Sequence, residues 1–185
     1  NGLSESKNMT RILIAFIAAL SLTACSDPSQ SDKNKTLAGL YKLYSIESQD
    51  STGVWRESGY SNGGESYIIY DGLGHMAVEI TPKGYSDFTW LNEEQALNET
   101  ILKAKIDSMS LTELKAAVTE FSSNYVYFAN YTLDDNTNTV THKRLISTIP
   151  AIWGTEVKRK FSFSGDTLIL VNPVVNRRLK WLRQE

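Results

Sequence analysis

The chain has a single cysteine, Cys25, only two histidines, and no excess of basic charge, its formal net charge being −2 over 185 residues. Each shortage closes off a class of chemistry. One cysteine cannot form an internal disulfide, a dithiol redox pair or a cysteine-rich metal site. His75 and His142 have no cysteine or carboxylate at metal-ligand spacing around them, so neither a metal nor a cofactor is expected. A slightly acidic chain lacks the concentrated positive surface that a phosphate backbone requires, which removes nucleic acid from the expected partners. There is no nucleophile elbow, and Gly59 to Gly64 lacks the lysine and following helix of a phosphate loop. Asp71, Glu79 and Asp87 do not pair as glycosidase carboxylates would. The apolar run Ile12 to Leu20 is too short to span a bilayer stably.

That run does have the layout of an export signal. Met9-Thr10-Arg11 is a small basic head before it, and Leu22-Thr23-Ala24-Cys25 closes it with small residues. The combination resembles a bacterial lipoprotein signal. The resemblance implies that Cys25 becomes the lipidated first residue of the mature chain, with a thioether-linked diacylglycerol and an acylated amine. Two or more acyl chains, at ~0.8 kcal/mol per buried methylene, hold a domain durably at a membrane surface. Residues 1–24 are therefore expected to be a signal peptide with a few residues ahead of a start at Met9. Residues 25–36 read as a flexible tether, because Ser26 to Thr36 contains no large apolar residue able to offset ordering. Residues 37–185 remain for one folded domain with a real core. By analogy with lipoprotein sorting, Ser26 after the cysteine favours the outer membrane of the cell envelope.

From Leu37 onward the pattern is mostly short strands. Leu40 to Ile46 is a first strand, and Gln49 to Gly64 an open loop or short strand around Val54-Trp55. Tyr67 to Tyr70 and His75 to Ile80 flank Asp71-Gly72-Leu73-Gly74, a glycine-containing turn that pairs two β-rich runs. Met76, Val78 and Ile80 share one face of the second arm. Residues 91–121 change period: Asn92 with Gln95 and Ser110 with Glu113 have capping-box spacing. Leu97 and Ile101 then line one predicted helix, and Leu114, Val118 and Phe121 another. Strands resume over Asn124 to Leu133, Asn138 to Ile146, Val157 to Phe163, Thr167 to Val171 and Arg177 to Leu182. No βαβ spacing appears, so the fold class is all-β, antiparallel and either a closed barrel or a sandwich.

Several fragments together resemble the bacterial lipocalin-like domain family, whose members have a calycin-type barrel. They are Leu37-Ala38-Gly39-Leu40-Tyr41-Lys42-Leu43, Ser66 to Ile80 with Gly74-His75-Met76, and Tyr127-Phe128-Ala129-Asn130-Tyr131-Thr132 leading to Val140-Thr141-His142. Pro150 to Glu156 running into Val157-Lys158-Arg159, Gly165 to Leu170 and Leu179-Lys180-Trp181 complete the likeness. The first strand carries Tyr41 where the family usually has tryptophan, and Ala129 or Asn130 falls where many relatives carry glycine. The resemblance implies an antiparallel β-barrel of about eight strands, with the helical segment as an insertion.

Such a barrel is just wide enough to fill with side chains or to enclose one small ligand. Tyr67, Tyr127, Tyr131 and Trp153 are candidate ligand-wall residues as well as candidate core, since aromatic rings offer contact area with a polar handle. His142 and Arg159 are candidate polar anchors. The family's matching histidine recurs beside the barrel interior, and an imidazole can hold a carboxylate or act as a general base. Arg159 shares a face with Val157 and Phe161, so it points inward, either toward a ligand or toward a paired carboxylate. The leading expectation is a lipid-anchored envelope protein that binds a small apolar or amphipathic ligand. The alternatives are a cofactor-independent cyclase- or isomerase-like enzyme using the same cavity, and a protein-interaction module with a solid barrel.

Overall fold

The computed structural model describes residues 37–58, 64–87 and 89–185. Cys25, the signal segment and the tether lie outside the described residues. Alternating apolar positions produce nine strands: β1 (Gly39–Gln49), β2 (Trp55–Glu57), β3 (Tyr67–Tyr70), β4 (His75–Ile80), β5 (Tyr125–Asp134), β6 (Thr139–Ser147), β7 (Glu156–Ser164), β8 (Thr167–Asn172) and β9 (Arg177–Arg183). All except β2 pair in an antiparallel ring that closes between β1 and β9, with Leu43 opposite Trp181 and Ile46 opposite Leu179. Closure removes the free sheet edges that an open sheet would leave. Short β2 adds to the far half of β1, opposite Glu47 to Gln49. On the outside of the β1–β9 seam, the Glu47 carboxylate accepts from Lys180 Nζ at 2.6 Å and also pairs with Arg178.

Two bulges set which residues enter the barrel. Opposite β9, Tyr44 is an extra residue of β1 and is 72% exposed, while Ser45 and Ile46 beyond it are both buried. In β6, Leu145 is passed over between the pairs Ala129–Arg144 and Phe128–Ile146. The bulge turns Leu145 and Ile146 outward and Ser147 inward, whereas Val140, His142 and Arg144 before it keep to the inner face.

The β3–β4 turn (with Gly72 and Gly74 at φ 77° and 109°), the β5–β6 turn and the β7–β8 turn gather at one end with Leu37. Leu37 is fully buried and accepts a bond from the Tyr41 hydroxyl at 3.0 Å, closing that end. The other end carries the longer connections: the helical insertion, the β6–β7 loop and the β8–β9 turn.

The insertion contains three helices rather than two: α1 (Glu93–Leu97), α2 (Glu99–Ser108) and α3 (Leu111–Ser123). Both expected capping boxes form, Asn92 with Gln95 and Ser110 with Glu113. The first expected helix breaks because the Asn98 side chain accepts from the amides of Thr100 and Ile101, starting a new helix one residue after α1 ends. The expected apolar faces are not buried faces. Leu97, Val118 and Phe121 remain 79%, 57% and 49% exposed, and Ala117 is the buried residue of α3.

Candidate functional site

Strand alternation brings Tyr70 from β3, Tyr127 and Tyr131 from β5, and His142 from β6 into the barrel interior. All four are 3% exposed or less. The imidazole of His142 lies between two tyrosines, with Nε2 at 2.9 Å from the Tyr70 hydroxyl and Nδ1 at 2.8 Å from the Tyr127 hydroxyl. Tyr70 packs edge-on against Tyr131, with ring centroids 5.0 Å apart. Burial, then the charges of Arg159 and Arg144, push the His142 pKa down to about 3. The ring is therefore neutral at physiological pH, with one donor and one acceptor nitrogen.

Arg159 reaches inward from β7 between Val157 and Phe161, as alternation requires, and its charge acts on Tyr127 against the upward push of burial. One ring nitrogen of His142 donates to one tyrosine hydroxyl and the other accepts from the second. Neither imidazole nitrogen is left without a partner, which is what a buried polar group needs. Burial raises the Tyr127 pKa to about 12 in spite of the nearby arginines, so the phenol stays un-ionised.

A second guanidinium meets the same tyrosine. Arg144, two residues beyond His142 on β6, places its guanidinium carbon 5.9 Å from the Tyr127 ring centroid. Its backbone is clamped at the mouth of the β6–β7 loop by Arg144 N–H to Thr155 O at 2.9 Å and Gly154 N–H to Arg144 O at 2.8 Å. Nη2 makes a 3.5 Å contact with the carbonyl of Glu156, while Nε is buried with no hydrogen-bond partner among the described residues. None of the ion pairs among the described residues involves Arg144 or Arg159.

The interior is thus unequal. Tyr41, Tyr70, Val140, His142, Leu168, Leu170 and Trp181 are sealed from solvent. Tyr125, Arg144 and Val157, near the end with the long connections, are only half-buried, as is Arg159, whose backbone pairs with Val140 deeper in the barrel.

Of the residues singled out from the sequence, Arg159, Tyr127, Tyr131 and His142 converge. Two do not join them. Tyr67 is separated from Tyr70 by an odd number of steps, so the pleat sends it outside, where its hydroxyl bonds Glu65 at 3.0 Å. There it borders a shallow outer groove of about 190 Å³ shared with Leu40, Ile69, Ala77 and Phe128. Trp153 is 51% exposed in the β6–β7 loop, its indole N–H donating to Ser147 O at 2.8 Å. As for His142, both ring nitrogens are engaged by tyrosine hydroxyls and the residue has no exposed surface. Arg144 was not among the candidate site residues, although its parity with His142 puts it on the same face of β6.

Comparison with known proteins agrees with this architecture. The profile of the lipocalin-like domain matches residues 38–181. Among solved structures, the chain is similar to a lipocalin-like protein from Bacteroides uniformis, at 12% identity and TM-score 0.41, over 80% of this chain and 98% of that one. It is also similar to an uncharacterized protein from Bacteroides eggerthii, at 8% identity and TM-score 0.41, over 80% and 99% of the two chains. No curated protein matches it. With eight strands closed into an antiparallel barrel and the family profile spanning nearly all of it, the chain belongs to the lipocalin-like domain family.

Proposed function

We propose that this chain is a lipid-anchored protein of the cell envelope whose barrel binds a small, largely apolar molecule. The observation that carries the reading is the unequal interior: one part filled and sealed, the other lined by half-buried Tyr125 and Val157 and reached from the end with the long connections. A barrel serving only as a solid scaffold would gain by burying those inward side chains as fully as Val140 or Leu168. The lipocalin-like fold supports a ligand-binding domain in the same sense. Attachment through Cys25 places the tether at the sealed end, where Leu37 enters the barrel, so the half-buried side is free to face away from the membrane. The export-signal resemblance at Met9 to Cys25, with Ser26 after it, supports an outer-membrane location.

The test uses the full chain carrying Cys25→Ser, which should leave the membrane fraction, titrated with the uncharged fluorophore N-phenyl-1-naphthylamine. Saturable binding near one probe per chain is expected. A linear, unsaturated signal up to the solubility of the probe rejects the ligand-binding reading, and retention of the Cys25→Ser protein in membranes rejects the anchor.

A further inference from the structure

The His142 imidazole has its demand met inside the protein, held by the hydroxyls of Tyr70 and Tyr127. The two inward guanidiniums contrast with it. Arginine keeps its charge at any physiological pH, and bringing two such charges to one tyrosine in a half-buried place is unfavourable unless a negative group joins them. The groups in contact cannot provide one: His142 and Tyr127 are both neutral, and the Glu156 atom in reach of Arg144 is its carbonyl oxygen. Several cations elsewhere among the described residues are matched. Arg178 and Lys180 share the Glu47 carboxylate, and Lys42 pairs with Glu65 at 2.9 Å. Arg183, at the sealed end, stacks on Tyr41 with its guanidinium carbon 4.7 Å from the ring centroid and donates to Ala38 O at 2.7 Å.

We propose that Arg144 and Arg159 together form a clamp for the oxyanion head of an amphiphilic ligand, a carboxylate or a phosphate monoester bearing one apolar tail. The inference rests on the ligand-binding reading above and names the ligand's chemistry. Planar guanidinium forks suit paired oxygens, and the orphan Nε of Arg144 is a donor ready to be used. The head enters first. On the far side of His142 from Tyr127 lie Tyr70 and Tyr131, sealed and packed on each other, so there is no room for a tail in that direction. The tail runs back past Val157 and Tyr125 toward the end with the long connections. The tyrosine–histidine chain is the support beneath the clamp: it holds Tyr127 in place, and Tyr127 positions both arginines.

The experiment displaces N-phenyl-1-naphthylamine from the Cys25→Ser chain with dodecanoate, dodecyl phosphate and 1-dodecanol, which share a tail and differ in the head. At least one of the anions should displace the probe at about a tenfold lower concentration than the alcohol, the effect of a charge-assisted hydrogen bond. Whichever anion is stronger identifies the head. The preference should collapse in Arg144→Gln and in Arg159→Gln, and persist in Lys158→Gln, whose side chain is on the outer face of β7. Far-UV circular dichroism and melting of each variant separate a lost clamp from a lost fold. If either arginine variant does not fold, the comparison of acid with alcohol on the parent protein still decides. Equal displacement by acid and alcohol overturns the clamp while leaving ligand binding intact, and a preference that survives in both folded arginine variants overturns it too. Absence of saturable probe binding is a different result, and it removes the reading on which the clamp rests.

Discussion

Val140 and Val157 are the same residue on adjacent strands, both turned into the same barrel, and their surroundings could hardly differ more. Val140 has no exposed surface, is a nearest neighbour of His142 on the same face of β6, and belongs to the buried core cluster. Val157 lies opposite His142 across the strand pair, yet is only half-buried, with Arg159 next on its face. Alternation alone places a side chain inside the barrel; what lies over it decides whether it is core or wall. In the sealed part, the polar groups are neutral and His142 is paired on both nitrogens, while the Trp181 indole N–H has no partner among the described residues. In the half-buried part, they are charged and lack a counter-charge. On the proposed reading, the first arrangement stabilises the fold and the second receives the ligand, so the boundary at Tyr127 would separate stability from function within a few residues.

Two substitutions in the sealed part probe the first half of this contrast. Trp181 is 1% exposed, faces Leu43 and Leu168 across its two strand neighbours, and is the largest fully buried side chain. Trp181→Ala should cost ~3–5 kcal/mol in urea unfolding, the usual range for emptying an aromatic site. A loss under ~1 kcal/mol would mean that the sealed part is not where the stability lies.

His142 gives the next effect, through pH. Burial, with the charges of Arg159 and Arg144 added, holds its pKa at about 3 in the fold, against ~6.5 in the unfolded chain. The unfolded chain takes up a proton as pH drops below ~6.5 and the fold does not, so protonation favours unfolding. The contribution is fully present above ~6.5 and is lost as pH falls toward the folded value, amounting to about 2 kcal/mol between pH 7 and pH 5. His142→Gln keeps a donor and an acceptor but cannot titrate. Its unfolding free energy should therefore fall by about 2 kcal/mol less than the parent's over the same pH interval. If parent and variant lose stability in parallel, the histidine is accessible to protons in the native state, and the sealed part extends less far than Tyr127.

How much of this contrast could be read from the chain follows from which signals are local. The capping boxes at Asn92 and Ser110 were legible because a cap is made by residues three positions apart. The inward turn of Arg159 was legible because Val157 and Phe161 share its parity. The exposure of Leu97 and Phe121 was not, since helical periodicity reveals an apolar stripe but not whether a sheet lies beneath it. The pairing of His142 was also hidden. Its partners Tyr70 and Tyr127 come from two other strands, 72 and 15 residues away along the sequence. Sequence reasoning found the histidine but not the two tyrosines that hold it. The approach of Arg144 to the Tyr127 ring was likewise hidden, because the two residues lie on different strands.

The smallest effect is the sharpest version of the opening comparison. Val140→Ala removes two methyl groups from a fully sealed site and should cost about 2 kcal/mol, transfer and cavity effects acting together. Val157→Ala removes the same two groups where solvent already reaches, and the cost should stay below ~1 kcal/mol. Unfolding free energies of the two variants, measured side by side at pH 7, give the difference directly. Probe affinity should divide them the other way. Val157→Ala takes apolar surface from the path of the tail and should weaken N-phenyl-1-naphthylamine binding by a few-fold, about 1 kcal/mol or less, while Val140→Ala leaves it close to the parent value. If both measurements rank the valines in the same order, the interior is one uniform core and the division at Tyr127 is lost. If the orders cross, stability and binding occupy different parts of one barrel, although a single rule of alternation placed the residues of both.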